Sequence, residues 1–200
     1  MIPITRRLAL TGLAATMIAR PAGAATAAAG EVLALTGQAA ALRAAASLDL
    51  APRDAVFAGD AVTTGVRSRI DIRLGTDTTL FVGEQARFRI DDFLAEAGGE
   101  IFLDSGALLL DKDPASTARP IEVNSAFGQI AVRGTRVFIG PSKGVFGVFL
   151  DRGHVTVRAA GVTVTLAAGE GTDIASPGAA PSAPKAWGPA RIAEALAPFS

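Results

Sequence analysis

Val132-Arg133-Gly134-Thr135-Arg136-Val137-Phe138-Ile139 is followed by Val145-Phe146-Gly147-Val148-Phe149-Leu150, then by Gly153-His154-Val155-Thr156-Val157, and closes on Ala168-Gly169-Glu170. Apolar and alternating runs of five or six residues, each ended by glycine, are the pattern of strands joined by tight turns. Gly134 interrupts what otherwise reads as one strand from Ile130 to Ile139, so a kink or bulge is expected there, with Thr135 hydrogen-bonding a neighbouring turn. No Gly-Lys-Ser/Thr and no strand-glycine-helix context accompanies Gly134-Thr135, which sets aside a nucleotide-binding loop.

The same period of two extends outward. Arg69-Ile70-Asp71-Ile72-Arg73-Leu74, Arg87-Phe88-Arg89-Ile90-Asp91 and Val162-Thr163-Val164-Thr165-Leu166 alternate polar and apolar side chains, placing one face on a core and one in water. Ala107-Leu108-Leu109-Leu110 and Val145 to Leu150 are apolar throughout, as in strands covered on both faces or at a junction of two sheets. Glycines 37, 65, 75, 83, 106, 128, 140, 153 and 161 fall between the runs. About a dozen short strands are therefore expected in an all-β sandwich or closed architecture. The alanine-rich segment from Gln38 to Leu50 is read as irregular strand and loop because of Pro52 and the alternation around it. Asp91 to Glu96 is read as a connection, either one helical turn or a long hairpin loop.

Composition narrows the function. The 200-residue chain has no cysteine, which excludes disulfides and thiolate zinc sites, and its formal charge is zero. Arg6, Arg7 and Arg20 are the only charged residues before Glu31, and the apolar segment Leu8 to Ala19 leads to Ala22-Gly23-Ala24, a small-x-small cleavage signature. Residues 1–25 are thus read as a signal peptide, of twin-arginine type if Arg6 and Arg7 are used, with Ala22 and Ala24 setting the cut. The apolar run is short for a bilayer span. Removing three of the 19 basic residues leaves 16 against 19 acidic ones, a net charge near −3 that argues against nucleic acid. The mature chain is expected in the periplasm, soluble and without a membrane span.

After Ile174 the character changes. Ser176 to Pro184 reads as an extended Pro/Ala/Ser linker. Pro189 to Ala197 reads as a short helix with Ile192, Ala195, Leu196 and Phe199 near one face, expected to dock with Trp187 on its own domain or else on a partner.

Catalytic chemistry is sparse. His154 is the sole histidine and precedes Val155 on an alternating strand, so an exposed strand histidine is expected. Neither Ser125 nor Ser142 sits in a nucleophile-elbow pattern. Asp111-Lys112-Asp113 and Asp91-Asp92 lack the oxygen-ligand spacing of a calcium loop. No catalytic residue, no metal site and no cofactor are expected.

In order and spacing these segments resemble the FecR domain of bacterial periplasmic signalling proteins. The resemblance rests on Gly30-Glu31-Val32 with Gly37, and on Gly59-Asp60-Ala61-Val62-Thr63-Thr64. It continues through Leu103-Asp104-Ser105-Gly106-Ala107-Leu108, Val132 to Phe138, Gly153 to Val157 and Ala168-Gly169-Glu170, and so spans residues 30–174. It implies a jelly-roll-like β-sandwich and assigns Gly59, Asp60, Thr63, Gly106, Gly134, Thr135, Gly153, Val155 and Gly169 as family-motif positions of structural character. Known members also carry a cytoplasmic anti-sigma segment, a membrane helix and a further C-terminal domain. None of these is expected here, so the chain reads as a stand-alone exported form. Its partner would be an envelope protein or glycan, met by β-augmentation or at a sheet face. The alternative is a glycan-binding or glycan-acting envelope protein, for which only Trp187 and ten phenylalanines offer aromatic platforms.

Overall fold

The computed structural model describes residues 28–94, 98–117 and 119–200. The expected signal peptide, with Arg6, Arg7, Ala22 and Ala24, lies outside them.

The strands run in chain order as β1 (Ala28–Thr36), β2 (Ala39–Arg43), β3 (Ala46–Asp49), β4 (Ala55–Phe57), β5 (Ala61–Thr64), β6 (Arg69–Leu74), β7 (Thr78–Val82) and β8 (Arg87–Leu94). After them come β9 (Gly98–Ser105), β10 (Leu108–Lys112), β11 (Ile121–Ser125), β12 (Gly128–Ser142), β13 (Val145–Ala159), β14 (Val162–Leu166), β15 (Glu170–Ile174) and β16 (Lys185–Ala186). Helix α1 (Pro189–Leu196) and a 3-10 turn (Ala197–Phe199) end the chain. The fold is all-β and sandwich-like. The strands outnumber the expected dozen because the irregular region before Asp60 splits into pieces of three to five residues.

The opening stretch builds the centre. β12 and β13, 15 residues each, form one long antiparallel ribbon whose two halves belong to the two facing sheets into which a continuous 16-stranded ladder curls. Its base, Gly128–Val132 with Val155–Ala159, carries β11 on one side and β14 on the other. Its tip half, from Arg136 to Ile139 with Phe146–Phe149, carries β10 and β15. From β11 the first sheet continues through β9, β8, β5, β2 and β3, and from β10 the second continues through β7, β6, β1 and β4. Among the described pairs, β9–β11 alone is parallel.

The ribbon changes sheet at the expected strand break. Its register shifts between Arg133 and Arg136, and Gly134 has φ +57. Gly153, opposite, has φ +95, and a Cβ there would run into the Gly134 carbonyl and Thr135. A paired bulge of this kind bends a strand and increases its twist, letting both sheets face one another over a shared core. That core includes Ile70, Ile72, Leu80, Phe88, Ile90, Ile101, Leu108, Leu110, Ile130, Val132, Val148 and Leu150, all fully buried.

The uniformly apolar runs are covered on both faces. Leu108 and Leu110 face the core, while Leu109, Phe138 and Phe149 point outward beneath the C-terminal segment, against Trp187, Ala195 and Phe199. Two readings need correction. Asp91–Leu94 is the end of β8, registered through Leu94 opposite Gly98, and is not a helical turn. The Pro/Ala segment is extended but not a free linker. Ser182 N–H donates to the Asp173 carbonyl (2.9 Å), the Thr172 hydroxyl donates to the Ser182 carbonyl (2.7 Å), and Ala179 packs on the core.

Gly134→Val is expected to destabilise by about 1–3 kcal/mol, because a β-branched residue must enter the left-handed region with Pro114 Cα only 3.2 Å from its Cβ. Gly161→Val, with φ +76 and open space around it, should lie at the low end of that range. Urea midpoints at unchanged m-value would measure both. A midpoint equal to the parent's would show that Gly134 is merely a tolerated strand glycine.

Candidate functional site

The family-motif positions do not converge on one pocket. They fall at four separate places, each with a structural task.

The first is the strand break, where Gly134, Thr135 and Gly153 meet. Thr135 is fully buried, and its hydroxyl lies 2.6 Å from the Arg133 carbonyl and 3.0 Å from that of His154, while the His154 N–H donates back to it at 3.2 Å. The threonine thus stitches together the two bulged strands whose ladder the break interrupts. Val155, next along β13, is buried in the core.

The second is the Gly59-Asp60 turn. Gly59, at φ +88, makes the turn, and Asp60 is fully buried. Its carboxylate accepts the Phe57 N–H (2.9 Å), Arg43 Nε (2.8 Å) and Arg43 Nη2 (2.7 Å), and the guanidinium lies 4.1 Å above the Phe57 ring. The bidentate pair holds the β2–β3 hairpin to the β4–β5 turn and raises the Arg43 pKa above its ordinary value, the hydrogen bond to Asp60 being the main cause. Thr63 only approaches the Ala40 carbonyl, at 3.4 Å. Its neighbour Thr64, not singled out in the sequence, is the buried one, donating to the Gly83 carbonyl (2.7 Å) and accepting the Ala86 N–H (2.9 Å). At the third place, Gly106 crosses Ala86 so closely that a Cβ would sit 2.5 Å from it. At the fourth, Gly169 accepts the Trp187 N–H at 3.1 Å.

Beside the strand break lies a polar cleft of about 340 Å³ between Arg73, Asp77, Asp111, Asp113 and Arg152. The alternation of β10 separates its charges. Asp111 faces outward and pairs with Arg152, with Arg136 Nε 4.0 Å away, whereas Lys112 points inward and is almost fully buried. Lys112 Nζ meets Asp77 Oδ2 at 2.7 Å, and Ser116 and Thr78 also donate to that carboxylate. Burial pushes the Asp77 pKa up, but the hydrogen bonds from Lys112, Ser116 and Thr78 outweigh it and hold the carboxyl below its usual range. Asp77 and Asp111 therefore have cationic partners, while Asp113 accepts the Ala115 N–H at 2.8 Å. The Asp111-Lys112-Asp113 run supplies no metal-binding cluster, and no group of three or more acidic or histidine side chains suited to a metal occurs among the described residues.

A charged clamp fixes the C-terminal segment. Asp173 receives Arg191 Nη2 at 2.6 Å and Lys185 Nζ at 2.8 Å; burial raises its pKa, and these two partners more than reverse the effect. Arg191 also stacks 3.6 Å over Trp187 and donates from Nε to the Ser142 hydroxyl (3.0 Å). Trp187 fits the space left by Gly147 and Gly171, 5.1 Å from the Phe149 ring. The helix face read from the sequence is the face that docks.

His154 is exposed on β13, as its alternation requires. Among the described residues no hydrogen bond links its ring to a serine or carboxylate. No helix among them is long and apolar enough to cross a membrane.

An all-β sandwich whose motif residues build turns and strand junctions is a structural scaffold, with no catalytic constellation assembled from those positions. Residues 60–156 match the family model described as FecR protein, which marks that segment as FecR-like. The match contains Asp60, Thr63, Gly106, Gly134, Thr135, Gly153 and Val155; the flanking Gly30-Glu31-Val32 and Ala168-Gly169-Glu170 lie beyond it. Two crystal structures of a proposed anti-sigma factor from Parabacteroides distasonis ATCC 8503 share the fold, each at TM-score 0.54 and 11% identity. Each similarity covers 62% of this chain and 58% of the other, so the chain matches somewhat over half the length of those structures. No curated protein sequence matches the chain.

Proposed function

We propose that this protein is an exported, non-catalytic FecR module that takes part in envelope signalling by binding another protein. The observation that carries the reading is the fate of the motif residues within the family match. Asp60, Thr135 and Val155 are buried, Gly106 and Gly134 hold tight crossings, and the two motif positions that border a cavity, Thr63 and Gly106, border different ones. What such a chain offers a partner is its outer faces and strand edges. The sparse chemistry agrees: the sole histidine stands alone, and a carboxylate held ionised, as Asp77 is, cannot act as a general acid near neutral pH. The Arg6-Arg7 pair, the apolar run after it and the Ala22-Gly23-Ala24 pattern support a periplasmic location.

Among the described aromatic side chains the glycan reading finds few platforms. Trp187 is buried beneath Arg191, and Phe57, Phe81 and Phe102 each lie under an arginine, at 4.1, 5.6 and 4.8 Å. Phe127 is stacked on Phe146 at 4.3 Å. Carbohydrate stacking needs an open ring face, and these faces are taken.

Cell fractionation with N-terminal sequencing should find the mature chain in the periplasm, beginning at or near Ala25. A full-length cytoplasmic product would contradict the reading. Changing Arg6 and Arg7 to lysine should block export if the twin-arginine route is used, and unchanged export would assign the chain to the general secretory route.

A further inference from the structure

We infer that the free edge of β14 pairs with the β14 edge of a second copy of this chain, forming a symmetric antiparallel junction about Val164. The inference stands apart from the signalling reading and rests on hydrogen-bond parity, register and charge.

Parity comes from the hairpin. β13 and β14 are joined by Ala160 (φ +48) and Gly161 (φ +76), a two-residue turn with both φ positive. In such a turn the flanking residues form a hydrogen-bonded pair. Ala159 opposite Val162 is that pair, so by alternation Val157 with Val164 and Val155 with Leu166 are hydrogen-bonded too. The backbone N–H and C=O groups of Thr163 and Thr165 therefore point away from β13. Among the described residues β14 pairs with β13 alone, so these groups form an open edge.

The edge lacks the usual protection. Native edges are blunted by charge, proline, bulges or short length. β14 is five residues in regular register, and nothing from Ala159 to Gly169 is charged or proline. The other exposed edges differ: β3 ends on Asp49, β4 has three residues and β16 two. Val162 is 43% exposed and Val164 half-buried at the lip of the core, an apolar margin that a further strand would cover.

Register selects the second copy. An antiparallel pairing centred on Val164 sets Thr163 of one chain opposite Thr165 of the other. These are the residues whose polar groups point outward, so both symmetric pairs are hydrogen-bonded and Val164 meets Val164 as a non-hydrogen-bonded pair. Val162 then faces Leu166, and the apolar rows continue across the junction while threonine faces threonine on the other side. The strand itself carries no charge, the nearest being Arg158 on β13, 3.4 Å from the Thr163 hydroxyl, and Glu170 in the following turn. The paired segments therefore meet without repulsion, and β14 has no charge of its own to select a foreign strand. A five-residue junction is small, so a reversible, concentration-dependent dimer is expected.

The chain has no cysteine, so one introduced thiol reports position without background. In the proposed junction, Val164→Cys brings two Cα atoms to about 4.5 Å, within disulfide reach. Under mild oxidation of the chain purified from cells, V164C should give a covalent dimer at least about tenfold faster than L48C, placed on the exposed β3 edge. Adding T163K and T165K, which sets like charges opposite one another, should abolish that advantage. In sedimentation the parent should show a concentration-dependent dimer that T163K/T165K lacks at an unchanged melting temperature. Equal cross-linking of V164C and L48C, cross-linking unaffected by the lysines, or a parent monomeric at all concentrations would overturn the inference.

Discussion

Asp77→Ala is expected to lower the unfolding free energy by about 3–5 kcal/mol, because it strands the Lys112 ammonium, 2% exposed, inside the sandwich without a counter-ion. The loss should appear as a shift of the urea midpoint at unchanged m-value. Lys112→Met removes the buried charge while keeping most of the stem, and Asp77, nearer the surface, keeps Ser116 and Thr78 as donors. That variant should lie within about 1.5 kcal/mol of the parent. Equal losses for both would mean that packing at β10, and not the orphaned charge, sets the cost. The pH dependence follows from the same pair. The folded-state pKa of Asp77 is depressed, so its stabilisation is fully present above the unfolded value of about 4 and is lost as pH falls through the folded value. Asp173 behaves the same way, so stability should fall below about pH 4 and Asp77→Ala should flatten that fall.

The second large effect is expected for Trp187→Ala, at about 3–5 kcal/mol. The indole fills the gap over Gly147 and Gly171 between Phe138, Phe149 and Arg191, and an eight-residue helix cannot hold itself once that contact is gone. Hydrogen exchange should show residues 189–196 losing protection while β12 and β13 retain theirs. Trp187 Nε1 is buried without a hydrogen-bond partner, so Trp187→Phe, which discards that donor, should cost much less than the alanine change. A helix that stays protected in Trp187→Ala would show that the Asp173 clamp alone holds it.

Much of this was legible in the sequence for a physical reason: alternation, turn chemistry and glycine placement are local signals. They located β6, β8 and β14, the break at Gly134, the turn at Gly161 and the outward face of His154. Local signals do not encode which strands meet. Nothing in Arg43 announces Asp60, 17 residues away, and Lys112 between two aspartates reads as a solvated charge until β10 turns it inward onto Asp77. The Pro/Ala segment is extended as its composition suggests, but composition describes a chain in isolation and does not show that Ser182 finds its partners on β15. The sharing of one ribbon between two sheets was announced only by the uniformly apolar runs, whose second cover is the C-terminal segment.

The most direct test of the central claim, that this FecR-like domain acts by contact and not by catalysis, compares purified parent and His154→Ala for capture of envelope proteins and for rescue of a deletion strain. The account predicts a variant that melts with the parent, retains the same captured protein and restores the phenotype in full. A variant that folds normally but loses a measurable turnover and fails to rescue would contradict it.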